Sequence, residues 1–251
     1  DVEGGVAHPG HVEVDDDERA VVLQAALAVY GADAVYAHVG AAASRQAERL
    51  AAQAVALGAR KLAAITPFYL PAGPEALMDY YRRLAAVAGG ARIYVYLFAA
   101  RTGLTVTPGQ LAELAIIPSV AGAKISGEAT STVLQYVQAA PDDFEVYSGN
   151  DVEFGAFVSS GGTGAVSGVS SVFPRPFLEL ADGLRRGDDE AVVAAQDRIQ
   201  RAVDGTGGAD IALLKAALTL QGLPAGSTRV ALDQPTAEQL ETLRTAVHTL
   251  T

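Results

Sequence analysis

Short apolar runs alternate with amphipathic stretches along this chain, at about 25 to 30 residues per pair. That alternation constrains the fold more than any other feature. A strand, a helix and a second strand in the same sheet close as a crossover, which makes the two strands parallel. Strand candidates cover residues 2–7, 34–39, 61–66, 93–98, 120–126, 144–148 and 164–168. Helical patterns separate them. Asp15, Asp16, Asp17 and Glu18 put acid at the start of one, where the helix dipole is positive. Others run over residues 44–57, 75–88, 107–117, 130–140 and 151–160, with Gly58 and Gly89 as stops and Pro108 in a first turn. After Gly168 the strand candidates end, and residues 174–186, 188–203, 210–220 and 236–250 all read as helices.

The expected architecture is α/β: a (β/α)8 TIM barrel with a helical C-terminal extension. Residues 1–168 would carry barrel strands two to eight, and residues 169–251 the last barrel helix and the extension. A closed barrel needs eight strands. The first candidate here starts at residue 2 with no helix before it, so the first strand and helix are expected to be missing.

Half the residues are hydrophobic, enough for a sizeable core. The formal net charge is −11 and there is no basic stripe, which argues against nucleic-acid and anionic-membrane partners. The absence of cysteine excludes disulfides and thiolate metal sites. No apolar run approaches a membrane span and the N-terminus lacks a signal-peptide pattern, so the expected location is cytoplasmic.

Lys124 is one of three lysines, with Lys61 and Lys215. It lies in the apolar run from Ser119 to Ser126, ahead of Gly127. A lysine desolvated at a strand end can serve as an amine nucleophile towards carbonyl substrates. The alternative is a lysine that extends its stem to solvent. Tyr96 lies one strand–helix unit upstream, in a strand where Tyr94, Tyr96 and Phe98 share a face; Gly122, Lys124 and Ser126 share a face of theirs. If both faces point into a barrel, Tyr96 and Lys124 meet near the C-terminal rim, with Gly122 leaving room for the lysine stem. A phenol there can move protons; a core tyrosine is the alternative.

Five blocks carry a resemblance: Thr66-Pro-Phe-Tyr69, Tyr96-Leu-Phe-Ala-Ala-Arg-Thr-Gly103, Gly122-Ala-Lys124, Ser148-Gly-Asn-Asp151 and Gly164-Ala-Val-Ser-Gly168. In order and spacing they are similar to the signature blocks of the dihydrodipicolinate synthase and N-acetylneuraminate lyase family. The resemblance implies a (β/α)8 barrel with a helical extension, usually a homotetramer or homodimer. It implies a class I aldolase that forms a Schiff base with pyruvate or a related 2-oxo acid and takes an aldehyde as second partner. No metal or separate cofactor is implied beyond the covalent imine at Lys124. By this resemblance Lys124 forms the imine and Tyr96 shuttles protons beside it. Tyr69 reaches a neighbouring subunit's site, Arg101 binds the carboxylate of the second substrate, and the backbone of Val166 lines the pyruvate pocket.

The chain also departs from the family pattern. The hydroxyl pair that holds the pyruvate carboxylate is replaced by Ala7 and His8. Alanine has no side-chain hydrogen bond to offer. His8 could hold a carboxylate or serve in acid–base work, or it could be a loop histidine. Leu97, Ala99 and Ala100 replace the family's asparagine, proline and glycine after the tyrosine, and His38 replaces a strand-end glycine. Three functions stay open: a pyruvate-dependent lyase, a 2-oxo acid dehydratase or hydratase-aldolase of the same family, and a weakened, metabolite-binding relative.

The remaining motifs are weaker. Ser160-Gly-Gly-Thr-Gly164 precedes a strand and so does not fit a dinucleotide-binding turn. His8, His11, His38 and His248 show no metal-ligand spacing.

Overall fold

The structure, a computed structural model, describes residues 14–251. The strand candidate at residues 2–7, the Ala7–His8 pair and His11 lie outside the described residues. The chain forms two compact units. The first holds Val14–Asn150 and Ser160–Val166; the second holds Asp151–Ser159 and Ser167–Thr251.

The first unit opens with α1 (Asp16–Tyr30). The acidic start reads as expected: the Glu18 amide donates to Asp15 and the Asp15 amide donates to Glu18, a reciprocal cap. There follow β1 (Tyr36–His38), α2 (Ser44–Ala56), β2 (Lys61–Ile65), α3 (Pro74–Val87) and β3 (Arg92–Leu97). Next come α4 (Ala99–Thr102), α5 (Pro108–Leu114), β4 (Val120–Ile125), α6 (Thr130–Ala139) and β5 (Glu145–Ser148). The second unit supplies α7 (Phe154–Ser159) before the first resumes with β6 (Gly164–Ala165). The six strands form one parallel sheet in chain order, the order in which a β/α barrel wall is laid down. Among the described residues, every strand expected from the sequence is present. The short α4 was not expected, because one turn is too brief to show a period; Gly103, at φ 71°, ends it in the left-handed region.

Alternation sorts the sheet's side chains. Leu62, Ala64, Ile93, Val95, Ala123, Ile125 and Val146 are buried on one face. The other face carries polar groups in two layers. In the layer near the strand N-termini, Tyr94 and Tyr147 donate to the Glu145 carboxylate at 2.8 and 3.0 Å, and Arg92 pairs with it at 2.7 Å. The Tyr36 and Tyr147 hydroxyls bond at 3.0 Å, and the buried Lys61 amine donates to Tyr36 at 3.2 Å. Burial pushes both the Tyr94 and Tyr147 phenols up, so they stay protonated and donate. Burial alone would raise Glu145; the bonds from Tyr94, Tyr147 and Arg92 outweigh it and hold the carboxyl below its usual range.

Gly122 serves this lower layer. A Cβ there would lie 2.6 Å from the Tyr94 ring and 2.5 Å from the Glu145 carbonyl oxygen. Tyr94, its partner in register, takes the space that a side chain at Gly122 would need.

The second unit is helical apart from its connections, the longest of which runs over residues 221–236. It continues with α8 (Pro174–Arg186), α9 (Asp189–Gly205), α10 (Ile211–Leu220) and α11 (Ala237–Leu250). Leu180, Ile199, Leu213 and Leu243 are buried within it. Gly183 lets α8 approach Val192 of α9, where a Cβ would meet that side chain at 3.0 Å. Asp188 caps α9 through the Ala191 amide, and Thr236 caps α11 with Gln239 in return. Gln196 accepts from the Gly155 amide and donates to the Asp151 carbonyl, tying α9 to α7 and to the turn that precedes it.

Candidate active site

The upper polar layer lies at the C-terminal ends of β1 to β4, where barrel enzymes place their chemistry. Tyr96 on β3 and Lys124 on β4 are register partners. The Lys124 amine stands over the Tyr96 ring, 4.4 Å from its centroid. Burial raises the Tyr96 phenol pKa. A hydrogen bond with Ser126 and the charge of Arg101 act in the opposite direction. Ser126 follows β4 and is buried; its amide donates to the Leu97 carbonyl at 2.9 Å, which joins the ends of β3 and β4. Gly149 passes so close that a Cβ would collide with the Ser126 hydroxyl. That contact packs the Ser148-Gly149-Asn150 turn onto the site.

Two further groups come from β1 and β2. The His38 ring meets the Tyr96 ring edge to face, with centroids 6.3 Å apart at 90°. The Ile65 amide donates to His38 Nε2 at 3.4 Å. The Ile65 carbonyl accepts from the Tyr80 hydroxyl at 3.4 Å; Tyr80 is buried, which pushes its phenol up to about 12.

The other expected residues sit around this centre. Arg101 is exposed on α4, with its guanidinium 5.8 Å from the Phe98 ring centroid. Tyr69 is 91% exposed and holds φ at 76°. A bulky residue in the left-handed region is strained. The Val166 amide donates to the Ser148 carbonyl at 2.9 Å and so continues the β5–β6 ladder past Ala165. Ala7 and His8 lie outside the described residues. Sequence reasoning put Ser126 on the lysine's face without giving it a role at the phenol; its position two residues after Lys124 was the available signal. His38 stood out only as a departure, because its neighbour Tyr96 belongs to a strand two places along the sheet.

A family model described as the dihydrodipicolinate synthetase family matches residues 11–250. The 4-hydroxy-tetrahydrodipicolinate synthase of Acidothermus cellulolyticus is 34% identical over 236 residues, 91% of this chain and 74% of that protein. The N-acetylneuraminate lyase of an Enterobacter species is 26% identical over 202 residues, 80% of this chain and 67% of that protein. The crystal structure of dihydrodipicolinate synthase from Thermotoga maritima superposes with a TM-score of 0.86 at 27% identity, covering 94% of this chain and 82% of that one. The family model spans nearly the whole chain, and the chain belongs to the dihydrodipicolinate synthetase family, whose members are lyases.

Proposed function

We propose that this enzyme is a Schiff-base-forming lyase, an aldolase acting on pyruvate or a related 2-oxo acid. The observation that carries the reading is the Lys124 amine held over the Tyr96 ring at the C-terminal ends of adjacent parallel strands. In its neutral form the amine attacks the 2-oxo carbon, forming a C–N bond and a carbinolamine. Tyr96 passes a proton to the departing oxygen, which leaves as water, and an imine remains. Loss of a C3 proton converts the imine to an enamine, whose carbon adds to an aldehyde; the reverse sequence cleaves the adduct. Ser126 orients the phenol. Arg101, charged and exposed beside it, suits a carboxylate on the second substrate.

The 2-oxo acid's own carboxylate needs donors in a partly dry pocket. His8, the backbone at Ala7 and the Val166 backbone are the proposed holders. The exposed Tyr69, with its strained backbone, suits a side chain presented to a neighbouring subunit in a homodimer or homotetramer.

The test is incubation with pyruvate and borohydride, followed by intact mass and peptide mapping. A reduced adduct at Lys124 is expected. Lys124→Arg should abolish it, because a guanidinium stays charged and cannot attack. Adduct persisting in that variant, or mapping to Lys61 or Lys215, would overturn the assignment. A panel of 2-oxo acids and aldehydes then separates a pyruvate lyase from a dehydratase or hydratase-aldolase.

A further inference from the structure

We infer that His38 is a positioning residue for Tyr96: an imidazole anchored by the Ile65 amide, with its ring set edge to face against the phenol ring that lies under the Lys124 amine. The inference rests on the imine reading above and assigns a role within that site to a residue on a third strand.

Three observations converge. The first is the ring contact, 6.3 Å between centroids with the planes at 90°. That is the geometry in which one aromatic edge meets another's face, and it restrains both rings. The second is the anchor. His38 Nε2 accepts the Ile65 amide proton at 3.4 Å, so the ring is oriented by backbone and not by packing alone. Acceptance at Nε2 also selects the tautomer that carries its proton on Nδ1. The third is the corner that makes the anchor possible. Gly40 passes so close to Ile65 that a Cβ would collide with the Ile65 nitrogen and lie 3.1 Å from His38 Cε1. Tyr80, buried on α3, donates to the carbonyls of both Ala41 and Ile65 and so holds the two sides of the corner together. The charged group at the strand backbone is Arg19, whose guanidinium donates to the His38 carbonyl at 3.5 Å.

The chain of restraint therefore runs from the Ile65 amide to His38, from His38 to the Tyr96 ring, and from that ring to the Lys124 amine. A proton carrier must hold its oxygen within hydrogen-bond reach of the carbinolamine and of C3. A ring free to tilt loses that geometry, and misplacement by about 1 Å can cost roughly 10²-fold in rate. His38 thus restrains the ring, while Ser126 holds the hydroxyl. His38→Phe keeps a ring but loses the anchor, and His38→Gly loses both.

The experiment has two arms. In the first, exchange of pyruvate methyl protons in D2O is followed by NMR, which reads enamine formation without any aldehyde. Borohydride trapping of Lys124 is measured alongside. His38→Gly should slow exchange by roughly 10²-fold and His38→Phe by less, while both still trap pyruvate at Lys124. In the second arm, the ring carbon bearing the hydroxyl is labelled in tyrosine and the Tyr96 resonance is assigned with Tyr96→Phe. Its shift and pH titration should move in both His38 variants. Where the parent traps pyruvate at Lys124, unchanged exchange in both variants overturns the inference, whatever the resonance does, and leaves His38 as packing. If His38→Gly fails to fold, as judged by circular dichroism, His38→Phe alone decides. If the parent enzyme traps no pyruvate at Lys124, the imine reading fails. The Tyr96 resonance then still decides whether His38 restrains the phenol: movement in His38→Phe supports it and constancy overturns it.

Discussion

The Lys124 amine lies over the Tyr96 ring, 4.4 Å from its centroid, because the two residues are register partners on β4 and β3. The relationship is built by backbone pairing, so it does not depend on a flexible loop. It places a phenol and an amine on one side of the sheet with Ser126 bonded to the phenol. The consequences can be tested residue by residue.

Tyr96→Phe removes the proton carrier and keeps the ring under the amine. Turnover should fall by roughly 10²- to 10⁴-fold, the range for losing a general acid–base group. The apparent affinity for pyruvate should change far less, since the lysine makes the covalent bond. Steady-state kinetics with separate kcat and KM checks this, and unchanged turnover would reduce Tyr96 to a packing role.

Ser126→Ala deletes a hydrogen bond that lowers the Tyr96 phenol pKa against the upward push of burial. The phenol should then ionise at higher pH than in the parent. The alkaline limb of the kcat profile should move upward, with a loss at neutral pH of up to about 10-fold, as expected for one hydrogen bond. A limb that stays in place would separate Ser126 from the phenol.

Gly122→Ala tests the lower layer. The new Cβ would press on the Tyr94 ring and the Glu145 carbonyl, one of them backbone and unable to yield cheaply. Overpacking of this kind costs about 1–3 kcal/mol. Chemical denaturation should show that loss, while borohydride trapping by the folded fraction persists. A variant as stable as the parent would mean that the strands part freely at this point.

The same layer sets a pH dependence. Glu145 titrates below its ordinary value in the fold. Its contribution is therefore present above the unfolded value of 4.5 and is lost as pH falls through the folded one. Glu145→Gln should cost about 2 kcal/mol at neutral pH, and the gap to the parent should narrow below pH 4.5. At the other extreme, the Tyr80 phenol is raised from 10.0 to about 12, with Tyr81, Tyr94 and Tyr147 raised too. Stability should hold below pH 10 and fall as pH rises through 12. Melting temperatures across pH check both limbs; a gap that widens in acid would reverse the sign assigned to Glu145.

Much of this was legible in the sequence, for a physical reason. Periodicity reports backbone conformation, which is local. The apolar runs starting at Lys61, Ile93 and Val120 were strand candidates and form strands, and the acid at Asp16 and Asp17 suited a helix start and lies in one. Parallel pairing in chain order followed from the intervening helices. The short α4, which carries Arg101, was lost because four residues show no period.

What lay beyond the sequence was the exact pairing of side chains across strands; that Tyr96 and Lys124 meet was an expectation conditional on both faces pointing into one barrel. Alternation put Tyr96 on one face of β3 and Lys124 on one face of β4, but only the register made them partners. The same register gave the space at Gly122 to Tyr94, brought Tyr36, Tyr94 and Tyr147 around Glu145, and set His38 against Tyr96 from two strands away. Strand identity and side-chain face are decided by residues within a few positions of each other. Neighbourhood is decided by hydrogen bonds between segments about 25 to 30 residues apart, and those exist only in the folded sheet.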